Sequence, residues 1–216
     1  MTAAVAGDIL AERRSFAETL ADVGPTSPTL AGAWTAGDLA AHVVSLDRLG
    51  GLPTYTGRRV VARGIRLNDL AARFADASLD SSRRRGFEWA LNQLRSSPPW
   101  LLLRRSVAPI GLFEVFVHHE DVRRAVANYS GRPAPTGLTT AVPWLLRYHR
   151  RVLPKVRLVV RAGELEFSTG AGPLVILQGA LGDVVLWLAG RRDAVDVELS
   201  GDHYALKELC SSALRI

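Results

Sequence analysis

Apolar side chains recur at three- and four-residue spacing through about the first 125 residues, the period of amphipathic helices. After Val156 they alternate with polar ones, the period of strands. Residues 2–23 carry one stripe, Ile9, Leu10, Phe16, Leu20 and Val23, and Gly24-Pro25 ends it. A second helix follows the connector PTSPTLAGA. Thr35 is its predicted N-cap, Asp38 three residues on closes a capping box, and Trp34 and Leu39 stand where a hydrophobic staple forms. Leu39, His42, Leu46 and Leu49 share its inward side, and Gly50, Gly51 and Pro53 stop it. After a loop over 52–64, a third helical region runs over 65–95. Leu67, Leu70, Phe74, Phe87, Trp89, Leu91 and Leu94 are its apolar residues, with a break expected near 78–82. Ser97-Pro98-Pro99-Trp100 reads as a turn. A fourth main helix covers 112–125, LFEVFVHHEDVRRA. Leu112, Val115, Phe116 and Val122 form its stripe, and Arg123 and Arg124 sit at the end where the helix dipole favours cations.

The Pro- and Gly-rich segment 131–137 marks the predicted boundary between a four-helix bundle over 1–130 and a small α+β domain over 131–216. In the second part, 138–153 reads as a helix with Trp144 and Leu145 on its buried side, closed by Pro154. VRLVVRAG and ELEFSTG read as an antiparallel pair joined at Ala162-Gly163. A strand over 174–177, a short helix opened by Gly182-Asp183, a last strand over 195–199 and a last helix over 203–214 complete it.

A hydrophobic fraction of 48% in 216 residues is that of a folded globular chain. The net charge of +6 is carried by arginine, since Lys155 and Lys207 are the only lysines. Arginine runs at 83–85 and 147–151 are expected to be solvated helix faces rather than a nucleic-acid surface. The single cysteine, Cys210, excludes an internal disulfide and a Cys-rich metal site. It is expected to be a buried or half-buried side chain of the last helix. No apolar run follows a basic start and none approaches the length of a membrane span, so the chain is expected to be cytoplasmic. No G-x-S-x-G elbow, P-loop or G-x-G-x-x-G is present.

The chemistry concentrates in three residues. Glu114 and His118 are four apart and project from one face of a largely apolar helix, either as a hydrogen-bonded core pair or as two ligands of a metal. His42, inward on the second helix, would complete a His₂Glu set and leave a fourth position for water or substrate.

The stretches AWTAGDLAAHVV and FEVFVHHEDVRRA resemble the two signatures of the actinobacterial metal-binding proteins related to mycothiol-dependent maleylpyruvate isomerase, within the DinB-like helical bundles. The resemblance implies His42, Glu114 and His118 as ligands of a divalent metal, zinc by donor type. It also implies mycothiol as a co-substrate, and isomerisation or S-transfer on a small electrophile as the reaction. The stretch 179–191, GALGDVVLWLAGR, with the later Gly201-Asp202, is similar to the sterol-carrier-like domain that accompanies such bundles. A non-catalytic metal-binding or small-ligand-binding protein needs the same three ligands and remains the alternative.

Three further residues are candidates for the second shell of the metal or for substrate contact. Asp121, three after His118, is placed to orient it or to pair with Arg123 or Arg124. His119 lies about 100° around the helix from His118 and is a core histidine or an outer donor. Asp38 lies one turn before His42, besides its capping role. Glu120 is expected at the surface beside Arg124, His149 is expected to be exposed, and His203 belongs to a helix start.

Overall fold

The computed structural model describes residues 2–47, 69–126, 129–149 and 156–212. Two compact units divide the chain, Met1–Gly137 and Leu138–Ile216. The described elements of the first are helical: α1 (Thr2–Val23), α2 (Ala36–Leu46), α3 (Asp69–Arg84), α4 (Phe87–Arg95), a 3₁₀ turn at Trp100–Leu103 and α5 (Ala108–Arg123). A second 3₁₀ turn, Thr136–Thr140, spans the division. The second unit continues with α6 (Ala141–His149), β1 (Arg157–Ala162), β2 (Leu165–Thr169), β3 (Leu174–Gly179), α7 (Leu181–Leu188), β4 (Val197–Gly201) and α8 (His203–Ser211). The protein is thus a mixed helix and sheet structure. Among the described residues no helix is long and apolar enough to cross a membrane.

In the first unit, α1, α2, α4 and α5 share one core. It is built from Phe16 and Leu20, from Leu39, Val43 and Val44, from Leu91 and Leu94, and from Val115 and Val122. Burying each of the larger of these contributes about 1.5–3 kcal/mol. The stops before and after α2 lie on different footings. Gly24 follows α1 with φ +81°, a conformation glycine adopts without strain. Asp47 caps the end of α2, whereas Leu49, Gly50, Gly51 and Pro53 lie outside the described residues. The break expected at 78–82 is absent. The helix runs through those serines, Ser78 Oγ donates to the Ser45 carbonyl, and the chain turns at Gly86 with φ +86°. Serine costs a helix little, while a positive φ needs glycine.

Two buried arginine clusters bolt these helices together. Arg13 of α1, 2% exposed, donates from both terminal nitrogens to the Asp47 carboxylate at 3.0 and 2.7 Å and to the Gln93 carbonyl at 2.9 Å. This joins α1, α2 and the end of α4. On the other side Arg132 donates to both oxygens of Glu12 and, at 2.8 Å, to Glu120. Glu120 also accepts from Arg123, Arg124 and Tyr129. Burial alone would raise the Glu120 carboxyl, but the hydrogen bonds from Arg124, Arg132 and Arg123 outweigh it and hold the group down at about 2. Glu120 is therefore a buried anion, not the surface partner that its spacing to Arg124 suggests. Residues 131–137 pack on this same unit, ending in a bond from the Gly137 N–H to Asp8 at 2.7 Å.

The second unit is a four-stranded sheet in the order β2-β1-β3-β4, with β1 and β3 parallel and the outer pairs antiparallel. Gly163, φ +60°, makes the tight β1–β2 connection. Leu158, Val160, Val175 and Leu177 are fully buried, and α7 packs Val184, Val185, Leu186 and Leu188 inward. The last strand begins two residues later than the alternation implies. The helix expected over 138–153 opens as the 3₁₀ turn before α6, and residues 150–155 lie outside the described ones. Cys210 is exposed rather than buried, because it lies one position past Leu209 and so about 100° off the Ala205–Leu209 stripe. His149 is fully buried rather than exposed, since it continues the Val142–Leu145–Leu146 side of α6.

Two outcomes test this packing. Arg132→Met takes from the buried Glu12 carboxylate its guanidinium and leaves it the His119 imidazole, while Glu120 keeps Arg123 and Arg124. Removing one partner of a fully buried pair costs about 3–5 kcal/mol. With Arg132 22% exposed, a loss of about 2–3 kcal/mol is expected in urea unfolding. Restoration of much of that loss by adding Glu12→Gln would trace it to the stranded charge, and a loss under ~0.5 kcal/mol would refute the cluster's role. The second outcome concerns pH. Burial lowers the His149 imidazole from 6.5 to about 4, partly offset by the Leu188 backbone. The unfolded chain then binds more protons between those values. Stability present above pH 6.5 should fall as the pH drops toward 4, by roughly 3 kcal/mol in all. His149→Leu should flatten that part of the pH profile of urea midpoints, and an unchanged slope would assign it elsewhere.

Candidate metal centre

The site is built where α2 meets α5. Thr35 caps α2: its hydroxyl accepts from the Asp38 N–H, and Asp38 returns a bond to the Thr35 N–H at 3.0 Å. Trp34, just before the cap, sets its ring against the edge of His42, with centroids 5.1 Å apart. Asp47 at the far end of α2 is clamped by Arg13. The helix that carries His42 is therefore fixed at both ends by partners on other elements or in its own cap.

α5 is buried on every side. From Ala108 to Val122 each residue except Pro109 is buried, including Glu114, His118, His119, Glu120 and Asp121. Every polar group on such a helix must find its partner in the protein. They divide into two sets on opposite flanks. On one flank His119 sends Nδ1 to Glu12 Oε1 at 2.7 Å, and its Nε2 accepts from the Thr19 hydroxyl at 2.8 Å. Burial lowers its imidazole against the pull of Glu12, and Arg132 Nη2 also lies 3.2 Å from Nδ1. On the other flank lie Glu114 and His118.

His42, Glu114 and His118 each place one ligand atom within 4.8 Å of the other two. The rings of His42 and His118 stand perpendicular at 4.9 Å, and His118 Nε2 lies 3.6 Å from Glu114 Oε2. That separation is too long for a hydrogen bond. It is close to the roughly 3.3 Å between two ligands that each sit about 2.0 Å from a tetrahedral ion. His118 Nδ1 lies 3.1 Å from Asp121 Oδ2, so the ring donates there and turns the lone pair of Nε2 toward Glu114. Two imidazole nitrogens and one carboxylate oxygen form a donor set suited to zinc or a similar divalent ion.

The other residues expected from sequence are placed as follows. Asp121 stands beside His118, and its neighbours Arg123 and Arg124 both turn to Glu120 instead. His119 faces α1, away from the triad, because the 100° step along the helix carries it to the opposite flank. Asp38 has both oxygens engaged, one by Thr35 and the other by Arg83 Nε at 3.0 Å. Burial would raise its carboxyl, yet the bonds from Thr35 and the Arg83 guanidinium hold it below the usual range. Glu12, Arg13, Asp47 and Arg132, which position the two helices, went unnoticed in the sequence. The one signal was Glu12-Arg13 lying between Ile9 and Phe16 on the apolar side of α1.

No family model matches the sequence, and no curated protein matches it. Solved structures do. One is the crystal structure of the mycothiol-dependent maleylpyruvate isomerase, 16% identical, with 93% of each chain covered and a TM-score of 0.50. Another is a histidine-to-alanine variant of that isomerase, 14% identical, covering 92% of this chain and 93% of that one with a TM-score of 0.51. Over nearly its whole length the chain shares the fold of these isomerase structures, the resemblance that its two motifs carry.

Proposed function

We propose that this chain is a metal-dependent, thiol-using enzyme, an isomerase or S-transferase acting on a small electrophilic substrate. His42, Glu114 and His118 hold a divalent ion, zinc by donor type, and mycothiol or a similar small thiol is the co-substrate. The observation that carries the reading is the convergence of these three side chains from two helices, in a chain with the isomerase fold. On this reading the first unit is a DinB-like four-helix bundle, the second is a sterol-carrier-like domain, and the protein works in the cytoplasm.

Bound there, a divalent ion favours the thiolate form of a thiol, the nucleophilic form at neutral pH. The chain's own residues do the rest. Glu114 supplies a negative charge against the ion. Asp121 accepts the His118 Nδ1–H, which fixes the tautomer and raises the basicity of Nε2. Trp34 limits the rotation of the His42 ring. Three protein ligands leave one position for a substrate atom.

Two outcomes test the reading. The purified protein should carry about one equivalent of zinc. Glu114→Ala and His118→Ala should each lose it, with affinity down about 100-fold or more and helical circular dichroism retained. Full metal content in both variants would remove the site assignment. In the cobalt-substituted protein, mycothiol should produce a sulfur-to-metal charge-transfer band, and thiol-dependent turnover of an electrophile should require the metal. A spectrum unchanged by saturating thiol would replace the enzyme with a metal-binding or small-ligand-binding protein.

A further inference from the structure

We propose that the second unit carries a binding site of its own, for a small monocarboxylate with an apolar body, in the groove between α6 and β2. It stands independently of the metal site.

The groove has a volume of about 240 Å³ and is lined by Pro143, Leu146 and Arg147 of α6 and by Phe167, Ser168 and Thr169 of β2. Its chemistry is divided. Pro143, the buried Leu146 and the half-buried Phe167 ring give an apolar wall on both sides. Arg147 is the one charged side chain in the lining, and it forms no ion pair with any described residue. The acid nearest along β2, Glu166, is already engaged by Arg161 of β1 at 2.9 Å. The Thr169 hydroxyl, on the same face of β2 as the Phe167 ring, likewise forms no hydrogen bond with any described residue. β2 is also an edge strand, so the backbone groups on its outer side lie outside the sheet ladder. A guanidinium and a hydroxyl without partners among the described residues, beside an apolar wall, match a carboxylate on a hydrocarbon or aromatic body. Among the described residues no carboxylate lines the groove, which disfavours a cationic ligand. A volume below the roughly 300–1,000 Å³ of drug-sized pockets limits the body to one ring or a short chain. Because Arg147 is exposed, the solvent screens its charge and the affinity should be modest, about millimolar.

The test is a titration of the full-length, metal-loaded protein with sodium benzoate, followed by amide NMR, with benzyl alcohol as the neutral counterpart. Benzoate should saturate at about millimolar concentration and shift the amides of Phe167, Ser168 and Thr169. Benzyl alcohol should bind about tenfold more weakly or not at all. Arg147→Gln should weaken benzoate about tenfold with an unchanged melting temperature, since Arg147 has no described partner to lose. His118→Ala should leave benzoate binding unaltered. Absence of saturation, equal binding of the alcohol, indifference to Arg147→Gln, or loss in His118→Ala would each overturn the site.

Discussion

A helix buried on every side leaves its ionisable groups no water to turn to, and α5 carries five buried ones, Glu114, His118, His119, Glu120 and Asp121. Each must be matched by a group from another element, so the rotation of α5 about its axis has one low-energy setting. Turning the helix by a single residue would take His119 from Glu12 and Thr19 and would aim Glu120 away from its arginines. A stranded buried charge costs several kcal/mol, a large share of the 5–15 kcal/mol that holds a domain folded. The flank that carries Glu114 and His118 is thereby set from behind by the flank that carries His119 and Glu120.

The same economy governs α2. Its start is capped by its own residues and its end is clamped by Arg13, a side chain almost without solvent exposure. His42 then has little freedom except at its side-chain torsions, and Trp34 restricts those. A metal site needs ligands placed to within about half an ångström, a precision that comes from packed and hydrogen-bonded surroundings. Buried arginines serve here because the planar fork satisfies two acceptors at once and stays charged when desolvated. Arg13 joins α1, α2 and α4, and Arg132 joins Glu12 of α1 to Glu120 of α5.

The second unit follows a different logic. Its sheet buries one continuous set of aliphatic side chains against α7, and the polar residues of its central strands, Arg157, Arg161 and Gln178, are exposed. The one imidazole taken inside, His149, is kept neutral by burial. At the β2 edge beside α6 an apolar wall meets polar groups that have no partner among the described residues.

The sequence by itself determined what depends on neighbours within about four residues. The capping box at Thr35 and Asp38, the limits of α1, the β1–β2 hairpin and the shared face of Glu114 and His118 all follow from local backbone geometry. The apolar spacing of the second helix turned His42 inward as a third candidate ligand, and motif likeness named the same three residues. Only the tertiary structure decided which faces are covered. Spacing marked Glu120 and His149 as surface residues, yet α5 is covered on all sides at Glu120, and His149 continues the covered side of α6. Glu12 meeting His119, Arg132 reaching back to α1 and Arg13 gripping Asp47 are pairings between distant segments. The period of a single helix carries no information about the partner that packs on it, so these contacts arise only when the chain is folded.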